Sequence, residues 1–173
     1  MLKISRIYDL FKQNKLLIAV AVLILIMIFS WISKDTINIS PSINDLQEIN
    51  IEAKITLPNS KVINIGIADT EEERTQGLAG VSNMLSSEGM WFVFEKESYY
   101  AFWMRGTLVN LDIIWLDKNM KIVDMRHNLE PAGEVAAPST YKNTRPARYV
   151  LELLGGEAKS NRLKIGDQVE FRR

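Results

Sequence analysis

The feature that most constrains this chain is an uncharged run of 17 residues, LLIAVAVLILIMIFSWI, at positions 16–32. A helix of that length rises roughly 25 Å, which is at the short end of what a bilayer core requires. The run is apolar on every side, whereas a helix on the surface of a soluble domain keeps a polar face. It therefore predicts a transmembrane anchor at 16–32, preceded by a basic segment at 1–15.

The charges before the run predict its orientation in the membrane. Lys3, Arg6, Lys12 and Lys15 precede it and are opposed only by Asp9. Because basic flanks stay in the cytoplasm, residues 1–15 are expected inside and residues 48–173 outside, in a periplasm or at the cell surface. A cleaved signal peptide is the alternative. The length of the run and the absence of an A-x-A-like site in FSWISKDT favour an uncleaved anchor.

Residues 33–47 are polar, lack a clean period and read as a tether, which leaves 48–173 as one folded domain. In INIEAKITL (49–57) apolar and polar residues alternate, and VINIGIA (62–68) repeats the pattern. This period of two predicts two half-buried strands. The turn cluster PNSK between them predicts a hairpin.

The remaining segments predict a mostly β domain. Thr70 and Glu73 have capping-box spacing and predict a short helix that ends near Gly77 or Gly80. Segment 126–144 reads as an irregular excursion, and 155–161 as a turn or a single helical turn. Further strands are expected at 90–94, 99–104, 111–116, 121–125, 148–153 and the C-terminus. With no βαβ rhythm, the prediction is one antiparallel β-sandwich or barrel with one or two short helices.

Composition excludes several classes of function. The chain has 21 Lys+Arg and 21 Asp+Glu, so it lacks the basic excess of a nucleic-acid-binding protein. It has no cysteine and one histidine, which excludes thiolate and multi-histidine metal sites. No phosphate-binding or nucleophile-elbow motif is present, and no cofactor is expected.

Five motifs follow one another in the domain: ERTQGL, GMWFVF, FWMRGTLVNLDIIW, YVLELLGG and GDQV. Together they resemble domain-of-unknown-function family 192, an uncharacterised ancient-conserved-region type. Its pattern reads R-x-x-G-L-M, G-M-L-F-x-F, F-W-M-K-N-T-L-x-P-L-D-I-x-F, Y-V-L-E-L-x-x-G and G-D-x-V. Here Ala79 replaces a Met, Arg105-Gly106 replaces Lys-Asn and Asn110 replaces a Pro. The resemblance implies an all-β fold, often exported or membrane-anchored, and no established activity.

The aromatic segment YYAFWM at 99–104 is the first candidate site. Both faces of this predicted strand carry aromatic residues, so one face is expected to meet another element or a ligand. Core packing is the favoured alternative for most of these rings. The residues predicted to bind a ligand are Trp103, Met104, Arg105, Thr107, Asp112 and Arg74.

Two acids on predicted strands, Asp112 and Glu152, are the second candidate. Facing each other, they could act as a general acid and an ionised carboxylate, as in glycosidases. Pairing with arginines or backbone groups is the favoured alternative.

Three functions remain open at this stage. The leading hypothesis is a binding module for a cell-envelope component or a partner protein, and this reading is favoured over that of an enzyme. The alternatives are an envelope-glycan hydrolase or lyase that uses Asp112 and Glu152, and a purely structural interaction domain.

Overall fold

The computed structural model describes residues 48–133 and 139–173, together with Ile24. Within these residues the chain forms nine strands and two short helices, α1 (Glu71–Gln76) and α2 (Glu157–Ser160). The strands are β1 (Ala53–Thr56), β2 (Val62–Ala68), β3 (Glu88–Ser98), β4 (Ala101–Trp103), β5 (Leu111–Leu116), β6 (Ile122–Leu129), β7 (Thr140–Lys142), β8 (Ala147–Leu154) and β9 (Glu170–Arg172).

Seven of the strands form one sheet in the order β6-β5-β8-β3-β2-β1-β9, and β4 pairs with β7 in a second, two-stranded sheet. All pairs are antiparallel except β2 with β3. The prediction of a mostly antiparallel β domain with short helices is confirmed.

The large sheet is buried on both faces at its centre. All six residues of β5 are buried, and β3 and β8 contribute buried side chains to both faces. On one face, Trp91, Ile114 and Leu151 belong to what we call the first core. On the other, Phe92 and Trp115 belong to the second core, which β4 covers. Strands that are apolar on both sides can only lie inside a sheet, which explains why LDIIWL lacks an alternating pattern.

The parallel pair β2–β3 differs from the antiparallel expectation. A parallel pair needs a crossover connection, and residues 69–87, which include α1, supply it. The helix begins as predicted, because the Thr70 hydroxyl accepts from Glu73 N and the Glu73 carboxylate accepts from Thr70 N.

The prediction of an irregular segment at 126–144 is partly wrong, since β6 extends to Leu129 and β7 lies within this segment.

The sheet does not close into a barrel. Its edge strands β6 and β9 do not pair, although Gly166, Asp167 and Val169, just before β9, exchange backbone hydrogen bonds with Met120 and Ile122. The sheet therefore curves until its two edges approach at one end, and it stays open along the rest of β6.

The predicted anchor at 16–32 lies outside the described residues except for Ile24. Among the residues that are described, no helix has the length and apolar character that crossing a bilayer requires.

Candidate functional site

An open pocket of about 340 Å³ lies on the second-core side of the sheet, between α1, β4 and the bend that follows β4. We call it the aromatic pocket. It lies over β3 and β8, two central strands of the large sheet. Its lining comprises Glu71, Arg74, Thr75, Gln76, Gly77, Leu78, Ala79, Phe92, Phe94, Tyr100, Ala101, Phe102, Trp103, Arg105, Thr107 and Glu152.

Helix α1 positions Arg74 at one wall of the pocket. Its Nη1 donates to the carbonyl oxygens of Asp69 at 2.6 Å and Val93 at 3.0 Å, and its guanidinium carbon lies 5.3 Å from the centre of the Phe94 ring. Gly77 ends the helix at φ +47°, where a Cβ would also lie 3.3 Å from the Phe92 ring. Glycine is therefore required where the helix turns away beside the pocket.

Aromatic rings from β3 and from residues 100–103 form another part of the wall. Phe94 stacks on Tyr100 with ring centres 3.6 Å apart, and Phe92 meets Phe102 edge to face at 5.0 Å. Phe92 and Phe102 are buried, whereas Trp103 lines the pocket with 45% of its surface exposed. Core packing thus accounts for most of the aromatic residues, and Trp103 remains available for contact with a ligand.

The bend after β4 is held by backbone bonds from two other segments. Gly80 N donates to Gly106 O at 2.8 Å, and Gly106 N donates to Gly133 O at 3.3 Å. Thr107 is buried, and its hydroxyl donates to Met104 O at 2.9 Å. These bonds brace the bend.

Glu152 on β8 is the buried acid of the pocket. It is 4% exposed, and its register partners on the neighbouring strands are Met90 and Ile113. No hydrogen bond or ion pair to another described residue accompanies its burial, and its oxygens keep contact with the open pocket. Removal from water disfavours the charged form, so burial raises the pKa of Glu152 to about 8. At neutral pH the carboxyl group is mostly protonated.

Asp112 on β5 has a different role. It is fully buried, and its carboxylate accepts from Asn128 N at 2.7 Å, Gly156 N at 3.0 Å and Ala158 N at 2.6 Å. Gly156 and Ala158 lie at the start of α2. The carboxylate satisfies backbone donors that a helix start leaves without partners. Asp112 therefore has the structural role that was the alternative to catalysis: its carboxylate bonds to backbone groups.

The two acids project from opposite faces of the sheet. Asp112 is level with Leu153, and Glu152 is level with Ile113, so the acids are offset by one residue on adjacent strands. Neighbouring residues of a strand point to opposite faces. The paired-acid arrangement that a glycosidase needs is therefore absent at this pair.

The resemblance carried by the five motifs agrees with a comparison against known families. The model of the uncharacterised ancient-conserved-region family matches residues 53–171. The chain belongs to domain-of-unknown-function family 192. In this member of family 192, residues of four of the five motifs, Arg74, Phe92, Trp103 and Glu152 among them, line the aromatic pocket.

One departure from the family 192 pattern has a conformational explanation. Gly106 stands where the pattern has Asn, and its φ is +70°. Asn and Gly are the residue types that most readily adopt this left-handed conformation. The backbone requirement is thus met by either residue at the bend.

Two solved structures share the fold. A protein from Sinorhizobium meliloti, described provisionally as a transcription regulator, matches with 24% identity and a TM-score of 0.62, over 72% of this chain and 98% of its own. A protein of unknown function from Novosphingobium aromaticivorans matches with 25% identity and a TM-score of 0.62, over 73% of this chain and 94% of its own. No curated protein matches the chain.

The aromatic pocket brings together four of the six residues predicted to bind a ligand, Arg74, Trp103, Arg105 and Thr107. It adds Glu152, which the sequence singled out only as a catalytic acid. Among the residues that are described, no group of acids and histidine gathers as a metal site.

The other two predicted residues lie elsewhere. Met104 is 1% exposed and packs in the second core, and Asp112 lies on the far face of the sheet. Sequence reasoning missed Phe94 and Tyr100 as wall residues. The signal was present, because Phe94 shares a strand face with Phe92, and Tyr100 shares one with Phe102.

Proposed function

We propose that this domain is a ligand-binding module and that the aromatic pocket is its binding site. The observation that carries the proposal is the Glu152 carboxyl group, 4% exposed in an open pocket and without a protein partner among the described residues. Buried polar groups in proteins nearly always have hydrogen-bond partners. In the free protein water in the open pocket can serve as that partner, and a bound ligand takes its place.

The pocket has the character of a small-molecule site. Its volume of about 340 Å³ falls in the range of ligand pockets, which are mostly apolar with a few placed polar groups. Here the apolar part is a set of aromatic rings, and the polar part is Glu152, Thr107 and Arg74. The half-exposed ring of Trp103 offers a face on which a ligand ring can stack.

The environments of the two acids that line the pocket, Glu152 and Glu71, favour binding over catalysis. The second acid in the lining is Glu71, whose side chain is 89% exposed and lies near Arg74, so its environment does not prepare it for proton transfer. A buried acid that faces an open pocket lowers stability, so we favour binding over a purely structural role.

The proposed location narrows the choice of ligand. If residues 16–32 anchor the chain with its N-terminus in the cytoplasm, residues 48–173 meet the cell envelope. We therefore expect the ligand to be an envelope component, such as a glycan, or a group on a partner protein.

A binding screen tests the proposed site. The full chain in detergent micelles is applied to an array of envelope glycans and peptides. Trp103→Ala is expected to weaken binding about tenfold, because it removes a stacking contact of ~1.4 kcal/mol. Leu85→Ala is the matched control, since Leu85 is 57% exposed and outside the pocket lining. Equal binding by both variants would place the site elsewhere.

Protease accessibility tests the proposed topology. Protease added to intact spheroplasts is expected to remove a C-terminal epitope tag from the full chain, because residues 48–173 lie outside. A cytoplasmic marker protein must survive the same treatment, and permeabilised cells show that the tag is cleavable. Protection of the tag in intact spheroplasts contradicts the topology.

A further inference from the structure

The chemistry of the buried end of the aromatic pocket narrows the class of ligand. Glu152 carries its proton at neutral pH, since burial raises its pKa to about 8. A protonated carboxyl group donates one hydrogen bond, whereas an ionised one only accepts. The buried end of a ligand therefore needs an oxygen that accepts from the Glu152 hydroxyl.

The charges around Glu152 disfavour an ionic partner. The titratable groups that line the pocket with it are Glu71 and Arg74 from α1, and Tyr100 and Arg105 from the β4 segment; β3 contributes only Phe92 and Phe94, and β5 none. Glu71 offsets one of the two arginine charges, and the remaining positive charge disfavours a ligand ammonium. Beside the Glu152 hydroxyl a neutral acceptor is favoured over a carboxylate, because removing a carboxylate from water costs more than removing a carbonyl oxygen.

The apolar neighbours favour a small alkyl group next to the accepting oxygen. Leu78 and Phe92 line the pocket and are 2% and 1% exposed. A methyl group buried against such side chains contributes about 0.8 kcal/mol. An acetamido group combines a neutral carbonyl oxygen with a methyl group.

The mouth of the pocket favours a ring. Trp103 lines it with 45% of its surface exposed, next to the edge of the two-stranded sheet. The apolar face of a sugar ring packs well on an indole, and the ring's hydroxyl groups remain in water.

We infer that the aromatic pocket recognises N-acetylated amino sugars of a glycan. The sugar ring packs on Trp103, the acetamido methyl packs on Leu78 and Phe92, and the acetamido carbonyl oxygen accepts a hydrogen bond from the Glu152 hydroxyl. This inference rests on the proposed function and names the ligand class of the same site.

Three β-1,4-linked tetrasaccharides that differ only at carbon 2 test the inference. They are the oligomers of N-acetylglucosamine, of glucosamine and of glucose, titrated calorimetrically into the full chain in detergent micelles. The acetylated oligomer is expected to bind at least about tenfold more tightly than the other two, from the carbonyl hydrogen bond and the buried methyl group. Its affinity is expected to fall about tenfold between pH 7 and pH 9, as Glu152 loses the proton it donates.

Variants of Glu152 distinguish its role as a hydrogen-bond donor to the ligand from the effect of its size and shape. Glu152→Gln keeps a donor, so selectivity for the acetylated oligomer should remain while the pH dependence disappears. Glu152→Leu has no donor and should lose at least about tenfold in affinity for the acetylated oligomer. Glu170→Gln, which changes an exposed acid on β9, should keep the pH dependence of the unaltered chain.

Other outcomes would contradict the N-acetyl inference and leave the proposed binding function to be decided by its own test. Tighter binding of the glucosamine oligomer than of the acetylated one makes Glu152 a carboxylate for a cation; the pocket is then a binding site for another ligand class. If none of the three oligomers binds, the N-acetyl inference is wrong, and the array with Trp103→Ala still decides whether the pocket binds a ligand.

Discussion

The free energy of unfolding is expected to fall by about 1.4 kcal/mol for each pH unit between about pH 4.5 and pH 8, relative to that of Glu152→Gln. The unfolded chain releases the Glu152 proton near the ordinary pKa of 4.5, whereas the folded protein keeps it until about pH 8. Folding therefore takes up a proton within this window, and stability decreases as pH rises. Above about pH 8 both states are ionised and the difference becomes constant.

Urea denaturation followed by tryptophan fluorescence at pH 5, 6, 7 and 8 measures this slope. Over the whole window the difference amounts to roughly 5 kcal/mol, which is comparable to the total stability of many domains. Taking the difference between the full chain and Glu152→Gln cancels the other titrating groups, because both proteins carry them. A difference that does not change with pH means that Glu152 ionises as in water and that the pocket is fully hydrated at this residue.

The second large effect is expected at Asp112. Asp112→Asn should lower the free energy of unfolding by about 2–4 kcal/mol, because an amide group presents N–H donors to backbone N–H groups and leaves buried donors unsatisfied. Asp117→Asn is the matched control at the other end of β5. Asp117 accepts from Asn119 N at 2.8 Å and Lys121 N at 2.9 Å in an exposed turn, so water replaces what it loses.

Two further measurements distinguish a structural role of Asp112 from direct contact with a ligand. Amide hydrogen exchange should accelerate first at Asn128, Gly156 and Ala158, the three donors that the carboxylate holds. Ligand affinity of the folded Asp112→Asn protein should stay unchanged, because the side chain points away from the pocket. Loss of binding with full stability would instead place Asp112 at the ligand.

Local patterns in the sequence predicted local structure well. The alternation of 49–57 and 62–68 predicted the β1–β2 hairpin, although β1 spans only Ala53–Thr56 of the first segment. The spacing of Thr70 and Glu73 predicted the start of α1. Both depend on residues that are close along the chain. In the aromatic segment, period two places Phe102 and Trp103 on opposite faces, but it did not show which face is buried; in the structure Phe102 is buried and Trp103 is exposed.

The relation of the two acids could not be predicted, because it depends on register. Alternation shows that Asp112 shares a face with Ile114, and that Glu152 shares a face with Val150. Which face of β5 matches which face of β8 depends on how the strands align, and a shift of one residue would have placed both acids together. The parallel pairing of β2 with β3 is likewise a long-range choice that no local pattern encodes.

The position of β8 has a consequence for the order in which the domain can assemble. β8 pairs with both β3 and β5, which precede it in the chain, and so joins the two halves of the large sheet. Until residues 147–154 are available, β5–β6 and β1–β2–β3 have no shared neighbour and their apolar faces lack partners. If the proposed anchor leads the chain through a membrane during synthesis, this arrangement delays folding until nearly the whole domain has crossed. Late completion of the sheet would then keep the chain unfolded for as long as its transport requires.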